Sequence, residues 1–534
     1  MTLNHRETDL KIVKPLVLIG YMGAGKTTVG SFLAHYLKRP LVDLDEALEA
    51  KAGLTIPLIF AKYGESYFRD LETQILTEYA TNRAPLVLAA GGGVVERPAN
   101  REILKTVNTY YLKAAPEVLW ARLHGPERAH RPLAQNQADF LARFQKRKAL
   151  YEESGQAVSA LAAPLAVANQ IAADFFTAPD FTLKALDRLA LVRAFTPKSQ
   201  IFASLFELVK TKRLLVLLDR AFLNEAPLWR SLGPKTLVYI PEDQGEAVKT
   251  LRQAEKILTL MAKSGLDRSD YLLAKGGGAL TDLGGLCAGL YKRGLNLLLW
   301  PTTLLGAVDA AIGGKTAVNL AGAKNQVGLF YIPKETWLEP LTLANNPKNL
   351  LAEGLTEALK TGLLFDPLLT RLIEENLDWL LGGDAPLVLA VAQRSAQAKA
   401  ALVEKDFRED KGLRDVLNLG HTYGHAVESY YGPAVSHGRA VALGLAVALE
   451  VSKTLGFDVT LANGLQDLCR RLAGELPKNP PDDEVKRLLT FDKKIRDGRL
   501  KFVALNAPGQ PEVLTKVEPD LILTAAKTVA SRLS

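Results

Sequence analysis

Short apolar runs alternate with longer stretches of helical periodicity through the first 340 residues of the chain. In the N-terminal part these runs are LVLIG (16–20), PLVLAA (85–90) and TYYL (109–112). Each is bounded by glycine, proline or polar residues, as expected for strands buried on both faces of a parallel sheet. The alternation therefore predicts an α/β fold with parallel sheets.

A second series of this kind begins after TAPDF (177–181), where we predict a domain boundary at about residue 180. Its predicted strands are RLLVLLD (213–219), TLVYI (236–240), YLLAKGGG (271–278) and LNLLLW (295–300). Beyond about residue 342 the pattern is almost wholly helical until KFVAL (501–505). The sequence thus predicts three domains: an α/β unit at 1–180, a nucleotide-type α/β unit at 181–341 and a helical unit at 342–534.

Composition indicates a cytoplasmic globular protein. The chain has 534 residues, of which 48% are hydrophobic and 23% charged, and it contains two cysteines, which fits a reducing compartment. The polar N-terminal segment predicts no signal peptide, and the longest apolar run is too short and interrupted to cross a bilayer. The net charge of +8 is scattered rather than clustered, so we expect anionic small-molecule substrates and neither nucleic acid nor membrane as a partner.

The first chemical motif is GYMGAGKT, which begins at Gly20 and matches G-x(4)-G-K-[ST] between a predicted strand and a predicted helix. Backbone N–H groups of such a loop surround phosphate oxygens. Lys26 would reach the terminal phosphates of ATP, and the Thr27 hydroxyl would bind Mg²⁺. The candidate ATP and Mg²⁺ contacts are Gly23, Ala24, Gly25, Lys26, Thr27 and Thr28. An accidental glycine loop is the alternative, and the flanking elements argue against it.

The residues that follow indicate a small-molecule kinase. Asp43 and Asp45 lie at the end of a predicted strand, where alternation would send both carboxylates to one side, one toward the metal and one toward an acceptor hydroxyl. Further along the chain are candidate substrate and phosphate contacts: Arg69, Gly91, Gly92, Gly93, Arg131 and Arg147. Each arginine by itself would be an ordinary surface charge, but in this order the set resembles shikimate kinase over roughly residues 12–175.

That resemblance implies ATP-dependent phosphorylation of the 3-hydroxyl of shikimate. Asp45 would orient the hydroxyl and act as its base, while Arg69 and Arg147 would hold the carboxylate and hydroxyls of shikimate. Gly91, Gly92 and Gly93 would contact the substrate through their backbone. Lys26 and Arg131 would steady charge on the transferring phosphoryl group. Another small-molecule P-loop kinase is the alternative.

Three histidines near residue 430 form a candidate metal site. His421 and His425 are four residues apart, so a helix would place both on one face, and His437 could supply a third ligand. Glu357, on a predicted helix that also carries Lys360, could complete a Glu-His-His site with His437 and either His421 or His425. Ordinary polar histidines are the alternative. Because no cysteine lies near, the metal would be catalytic rather than structural.

Other polar residues surround a glycine triplet. Gly276–Gly278 follow a predicted strand, and Asp219 ends an earlier one, as in nucleotide-binding sheets. The whole ordered set resembles 3-dehydroquinate synthase over about residues 190–534. Its most specific parts are PTTLL-x(3)-D-x(3)-GGKT, GAKNQVG and LR-x(2)-LNLGHT-x-GHA-x-E.

The resemblance implies bound NAD⁺, one Zn²⁺ or Co²⁺, and conversion of 3-deoxy-D-arabino-heptulosonate 7-phosphate to 3-dehydroquinate with release of phosphate. The implied metal ligands are Glu357, His421 and His437. The implied NAD⁺ contacts are Asp219, Glu246, Lys249, Gly277, Gly278, Asp282, Thr302, Thr303, Lys315 and Lys324. The implied substrate contacts are Arg293, Asp309, Asn325, Lys360, Lys399, Arg414, Asn418 and His425. Lys315 and His425 would also act in catalysis.

Two departures from the synthase pattern are visible. Arg439 stands where the family usually has Glu, and one extra residue separates Lys399 from Arg414. Together the resemblances imply a bifunctional enzyme of aromatic amino-acid (chorismate) biosynthesis, a transferase joined to a lyase, with a homodimer expected through the synthase half. The alternative is another P-loop kinase fused to a metal-dependent alcohol or glycerol dehydrogenase, which would not need a cluster of substrate lysines.

Overall fold

The structure of the chain is a computed structural model that describes residues 11–81, 84–124, 136–176, 180–185, 188–194, 198–457, 462–475, 480–491 and 501–533. The chain divides into two units, Met1–Thr177 with Asp384–Pro386, and Ala178–Gly383 with Leu387–Ser534. Among the described residues, no helix has the length and apolar character needed to cross a membrane.

The first unit contains a five-stranded parallel sheet in the order β2-β3-β1-β4-β5. Its strands are β1 (Leu16–Ile19), β2 (Leu41–Asp43), β3 (Val87–Ala89), β4 (Asn108–Lys113) and β5 (Gln156–Ser159). Its helices are α1 (Lys26–Leu37), α2 (Leu44–Ala52), α3 (Ile56–Thr81), α4 (Pro98–Thr106), α5 (Pro116–Leu123), α6 (Gln137–Ser154) and α7 (Pro164–Phe175). The apolar run β1 lies at the centre of the sheet with every residue buried, which confirms the parallel α/β prediction.

The second unit contains a seven-stranded sheet in the order β6-β7-β14-β11-β10-β8-β9. Its strands are β6 (Phe181–Ala185), β7 (Arg188–Arg193), β8 (Leu214–Leu218), β9 (Thr236–Tyr239), β10 (Tyr271–Gly276), β11 (Asn296–Pro301) and β14 (Glu335–Trp337). The helices between them are α8 (Lys198–Thr211), α9 (Ala226–Arg230), α10 (Leu251–Lys263) and α11 (Gly278–Leu290). Pairing is parallel except for the edge pair β6–β7, which is antiparallel.

Alternating side chains of the central strands enter two different cores. Leu215, Leu217 and Leu272 join a cluster with α10 and α11 on one face of the sheet. Leu214 and Leu273 join a cluster with α8 and α9 on the other face. Because successive residues of a strand point to opposite faces, a strand covered by helices on both sides is apolar at every position. This explains why these strands were visible as continuous apolar runs.

The described residues beyond 342 are helical, as predicted, apart from one hairpin. The helices are α12 (Pro340–Ala344), α13 (Lys348–Phe365), α14 (Pro367–Glu375), α15 (Leu377–Leu381), α16 (Ala385–Lys405), α17 (His421–Tyr431), α18 (His437–Thr454), α19 (Ala462–Ala473), α20 (Asp482–Phe491) and α21 (Pro519–Leu533). The hairpin pairs β15 (Phe502–Ala507), which overlaps the predicted KFVAL, with β16 (Gln510–Leu514).

A second hairpin was not predicted. The glycine-rich segment after β11 forms the antiparallel pair β12 (Lys315–Leu320) and β13 (Ala323–Phe330). Most side chains of β13 are exposed or half-buried, so this strand carries no buried apolar run that the sequence pattern could reveal.

Candidate active sites

The phosphate loop has the geometry that its sequence predicts. Gly25 adopts a left-handed conformation with φ of 86° and caps α1, which begins at Lys26. Nζ of Lys26 donates to the carbonyl of Gly20 at 2.9 Å, and Oγ1 of Thr27 donates to Oδ2 of Asp43 at 2.9 Å. The lysine therefore lies across the loop, and the hydroxyl and carboxylate proposed to bind Mg²⁺ are adjacent.

The expectation that Asp43 and Asp45 share one side of a strand is wrong. Strand β2 ends at Asp43, and Asp45 lies in the first turn of α2. Oδ1 of Asp43 accepts a hydrogen bond of 3.0 Å from the backbone N–H of Asp45, so Asp43 caps the helix. The short D-x-D spacing suits a helix cap as well as it suits strand alternation. Asp45 nevertheless comes close to the glycine triplet.

The glycine triplet lies against both Asp45 and the arginines. A Cβ atom on Gly91 would lie 2.6 Å from Oδ1 of Asp45, and one on Gly93 would lie within 2.8 Å of the guanidinium of Arg69. The carbonyl of Gly92 accepts a hydrogen bond of 3.0 Å from Nη1 of Arg147. Side chains at the outer two positions would therefore collide with the acid or with the arginine, so the triplet allows these groups to converge.

The two described arginines of this site are paired with carboxylates. Arg69, on α3, lies 2.9 Å from buried Glu72 and 2.8 Å from Glu96, while Arg147, on α6, lies 2.8 Å from Glu96. Burial raises the pKa of Glu72, and the positive charge of Arg69 opposes that effect. The predicted Arg131 lies outside the described residues. Sequence reasoning missed Glu72 and Glu96, since neither belongs to a phosphate or metal motif.

In the second unit, Glu357, His421 and His437 converge on one point. Oε1 of Glu357 is buried and lies 3.4 Å from Nε2 of His421 and 3.5 Å from Nε2 of His437. Zinc–ligand bonds of about 2.0–2.1 Å at tetrahedral angles separate the ligand atoms by roughly 3.3 Å. Both distances from Glu357 are close to that value, and the ligand atoms of the three residues all lie within 4.8 Å of one another. The donor set of one carboxylate and two imidazoles suits zinc.

The outer nitrogens of both imidazoles have acceptors. Nδ1 of His421 lies 3.2 Å from the carbonyl of Leu419, and Nδ1 of His437 lies 2.9 Å from Oε2 of Glu428. A proton on each Nδ1 leaves the Nε2 lone pair for a metal. Glu428 belongs to the quoted GHA-x-E pattern, but its contact with His437 was not predicted, because that contact depends on how two helices pack.

Charges in this cluster are strongly coupled. Burial opposes ionisation of Glu357, but Lys360, which is paired with its other oxygen, and the two histidines outweigh burial and hold its pKa well below the usual range. Burial and the nearby Lys360 hold the pKa of His421 well below its usual value. Burial also opposes protonation of His437, but hydrogen bonds to Glu357 and Glu428 outweigh it and raise its pKa to about 10.

Close helix packing brings these ligands together. A Cβ atom on Gly444 of α18 would lie 1.8 Å from the carbonyl oxygen of Gly420, which precedes α17. The two helices can therefore place His421 and His437 side by side, with ring centroids 5.4 Å apart. The ring of His425 lies 5.2 Å from that of His421, and His425, Glu428 and His437 form a second, overlapping group of metal-ligating atoms.

The predicted dinucleotide contacts cluster at the carboxyl ends of parallel strands. Asp219 follows β8, Gly277 caps α11 after β10, and Thr302 follows β11. A groove there is lined by Asp219, Arg220, Pro241, Asp243, Gln244, Gly245, Val248, Gly277, Ala279 and Leu280. This edge of a parallel sheet, with a helix N-terminus pointing into it, is where nucleotides bind in such folds.

Lys249 links several of the remaining contacts. Its Nζ lies 2.7 Å from Oδ2 of Asp282 and donates to Oδ1 of Asn325 at 2.5 Å. Burial raises the pKa of Asp282 to about 6, although Lys249 opposes that effect. The other predicted NAD⁺ contacts have separate partners. Gly278 begins α11, and Oγ1 of Thr303 accepts from the N–H of Gly306. Glu246 accepts a hydrogen bond from Asn319, and Lys324 lies 2.9 Å from Glu428.

Most of the predicted substrate residues also come together. Lys399 pairs with Asp309, so the extra residue after Lys399 does not remove it from the site. Lys315 and Arg414 both pair with Glu409, a partner that the sequence did not reveal. A Cβ atom on Gly313 would lie 3.5 Å from Arg414 and 3.8 Å from Lys399. Asn418 ends the 3₁₀ segment Leu413–Asn418, three residues before His421.

Arg293 is the exception. It ends the 3₁₀ turn Tyr291–Arg293 before β11, whereas Thr302 follows the same strand. The six residues of β11 separate them by roughly 20 Å at about 3.3 Å per residue. Within its own chain, Arg293 therefore lies at the opposite edge of the sheet from the other candidates. Arg439, the departure from the family pattern, donates from Nε to the carbonyl of Ala473 at 2.8 Å.

Comparison with known proteins agrees with this geometry. Three family models match the chain: shikimate kinase at residues 22–175, the N-terminal part of 3-dehydroquinate synthase at residues 239–353, and its C-terminal part at residues 354–495. The 2-epi-5-epi-valiolone synthase ValA of Streptomyces hygroscopicus subsp. jinggangensis 5008, whose structure was solved with NAD⁺ and Zn²⁺ bound, is 28% identical. That match covers 66% of this chain and 98% of ValA with a TM-score of 0.58.

Two further proteins match the chain, one of them over both units. The 3-dehydroquinate synthase of Pseudomonas fluorescens is 38% identical over 303 residues, which are 56% of this chain and 82% of that protein. The bifunctional shikimate kinase/3-dehydroquinate synthase of Thermotoga maritima is 32% identical over 427 residues, which are 79% of this chain and 81% of that protein. The chain therefore belongs to the family of bifunctional shikimate kinase/3-dehydroquinate synthases.

Proposed function

We propose that this chain catalyses two reactions of aromatic amino-acid biosynthesis. Its first unit transfers phosphate from ATP to the 3-hydroxyl of shikimate, and its second unit converts 3-deoxy-D-arabino-heptulosonate 7-phosphate to 3-dehydroquinate with release of phosphate. The observation that carries this proposal is the presence of two sets of features in one chain. The first unit has a phosphate loop beside a paired-arginine site, and the second has a Glu-His-His cluster and a groove at the carboxyl ends of parallel strands.

In the kinase half, Thr27 and Asp43 hold Mg²⁺, and Lys26 and Arg131 neutralise the phosphates of ATP. Arg69 and Arg147 hold the carboxylate and hydroxyls of shikimate, and Asp45 orients the hydroxyl that is phosphorylated. The hydrogen bond between Thr27 and Asp43 and the packing of Asp45 and Arg69 against the glycine triplet support these roles.

In the synthase half, Glu357, His421 and His437 hold zinc, while Asp219, Gly277 and the N-terminus of α11 hold NAD⁺. When bound, zinc would polarise the secondary alcohol of the substrate, and NAD⁺ would take up its hydride and return it. Lys360, Lys399 and Arg414 hold the anionic groups of the substrate. His425, which adjoins the metal ligands, contacts the substrate and moves a proton.

The main alternative for the second half is a metal-dependent dehydrogenase. A dehydrogenase acting on an uncharged polyol has no need for the buried cations Lys360, Lys399 and Arg414, which favours a phosphorylated acid as substrate. The two reactions differ in their net consumption of NAD⁺. A dehydrogenase forms one NADH for each product, whereas the synthase returns the hydride to the same substrate molecule. With excess NAD⁺, phosphate should accumulate over many turnovers at constant NADH absorbance. NADH that rises in step with turnover would contradict the proposal.

We also propose the three domains at 1–180, 181–341 and 342–534, and a cytoplasmic location, which two buried, free cysteines support.

A homodimer through the synthase half is a further proposal. Arg293 lies far from the other substrate residues of its own chain. In a dimer, its side chain would contact the substrate bound to the neighbouring copy. Sedimentation should show the dimer. Mixing an inactive Arg293→Ala variant with an inactive His437→Ala variant should restore part of the synthase activity.

A further inference from the structure

Glu96 occupies a central position among the arginines of the kinase site. It ends the 3₁₀ turn Val94–Glu96, directly after the glycine triplet. Its Oε2 atom lies 2.8 Å from Nη2 of Arg69, and its Oε1 atom lies 2.8 Å from Nη2 of Arg147 and accepts a hydrogen bond of 2.9 Å from Nε of the same residue. A single carboxylate thus bridges two guanidinium groups from different helices.

This bridge has the form that a ligand carboxylate would take. Guanidinium groups bind carboxylates through paired N–H donors, and Glu96 already uses such donors on Arg147. The charges of Arg69, Arg147, Glu72 and Glu96 sum to zero when all four are ionised. A substrate carboxylate arriving at this cluster therefore meets positive charges that are already neutralised, and it must compete with Glu96 for the same N–H groups.

The two acidic partners differ in how firmly they are held. The Glu72 side chain is 1% exposed and lies one turn from Arg69 on the same helix, whereas the Glu96 side chain is 25% exposed. The backbone of Glu96 is fixed, because its N–H donates to Gly93 and its carbonyl accepts from Arg101. The side chain of Glu96 can therefore rotate toward solvent without movement of the glycine triplet.

We propose that Glu96 is an internal counter-carboxylate, which takes the place of the substrate carboxylate on Arg69 and Arg147 and is displaced when substrate binds. This inference rests on the proposed shikimate kinase function. In the absence of substrate Glu96 balances the positive charge of the arginine pair. Each binding event must break its ion pairs, so Glu96 weakens the affinity for shikimate and thereby sets the KM of the kinase.

The test replaces Glu96 by glutamine in the full-length protein. Glu96→Gln keeps the size of the side chain and removes its charge, so the KM for shikimate and its Kd without ATP should both fall, by roughly tenfold. The kcat should change much less than the KM, since the reacting hydroxyl lies elsewhere on the substrate. Glu102→Gln is the matched control, because it removes the same charge from the same unit. Glu102 is exposed on α4 and pairs with Lys105. It should leave the KM unchanged.

Each outcome has a distinct meaning. An unchanged KM in Glu96→Gln would show that Glu96 does not compete with the substrate, and a raised KM would show that it positions the arginines instead; either result overturns the inference. Glu96→Ala should lower the KM in the same direction if the glutamine variant folds poorly. If the wild-type protein neither binds nor phosphorylates shikimate, the proposed kinase function itself fails, along with the inference built on it.

Discussion

At the scale of single residues, the two candidate zinc-binding histidines differ although they lie in one cluster. His421 has a lowered pKa because burial and Lys360 disfavour its charge. His437 faces two carboxylates, which overcome the effect of burial and raise its pKa to about 10. These opposite shifts predict that, in the metal-free protein near neutral pH, the His421 imidazole is neutral and the His437 imidazole is protonated on both nitrogens.

This difference predicts that zinc binding releases a proton. Zinc binds an imidazole nitrogen that carries no proton. Binding must therefore displace the second ring proton of His437 but no proton of His421. The range from about pH 6.5 to 8.5 lies below the raised pKa of His437. Across this range the affinity for zinc should therefore rise about tenfold per pH unit. Titration calorimetry of the metal-free protein in buffers of different ionisation enthalpy should detect about one released proton per zinc. Binding with no proton release in that range would contradict the assignment of His437.

Residue patterns in the sequence indicate candidate ligands but do not indicate the side chains that these ligands contact. Lys26, Thr27 and His421 belong to local patterns whose spacing itself indicates chemistry. Glu96 meets Arg147 across 51 positions, and its role depends on how a turn and a helix pack. Because this contact joins residues that are far apart in the sequence, no local spacing pattern indicates it, and a single sequence does not predict it.

At the scale of elements, the candidate metal site depends on the close approach of α17 and α18. The sequence predicted a helix for His421 and His425. It gave no indication that α18 would pack so tightly against the start of α17, because this packing depends on a missing side chain at Gly444. A Cβ there would lie 1.8 Å from the carbonyl oxygen of Gly420, less than any tolerable contact.

Gly444→Ala should therefore separate the two helices. Overpacking of this kind costs about 1–3 kcal/mol of unfolding free energy, and the displacement of His437 from His421 should weaken zinc binding as well. Denaturant unfolding and a zinc competition assay measure the two effects. Gly464→Ala is the control: it lies exposed on α19, and the nearest atom to its added Cβ belongs to the flexible Glu374 side chain. Equal behaviour of the two variants would show that the helix contact does not position the ligands.

Predictability also varied among the strands. Strands such as β8 and β10, buried on both faces, are continuous apolar runs and were predicted from the sequence. The hairpin of β12 and β13 was missed because exposed, polar and glycine-rich strands resemble loops. The same limit applies at Asp43, which is both the last residue of a three-residue strand and the cap of a helix. A pattern this short does not separate a strand from a helix cap.

At the scale of the whole molecule, each unit contains its own set of candidate catalytic residues. Lys26→Ala should therefore abolish phosphorylation of shikimate, while phosphate release from the heptulosonate phosphate continues at the wild-type rate. Lys26 contacts its own phosphate loop in the first unit, and the zinc and dinucleotide residues lie in the second. Parallel assays of both reactions on one preparation provide the comparison. Loss of both activities would indicate that the two reactions depend on one site.

The central claim is that one chain performs two chemically different phosphate reactions. Phosphorus NMR of a single mixture tests it most directly. The mixture contains the purified protein with ATP, Mg²⁺, shikimate, the heptulosonate phosphate, NAD⁺ and Zn²⁺. We expect a new phosphomonoester signal from shikimate 3-phosphate and the loss of the heptulosonate phosphate signal to inorganic phosphate, and only the second change when shikimate is omitted. A mixture in which either change fails to occur, with metal and cofactors supplied, would contradict the claim.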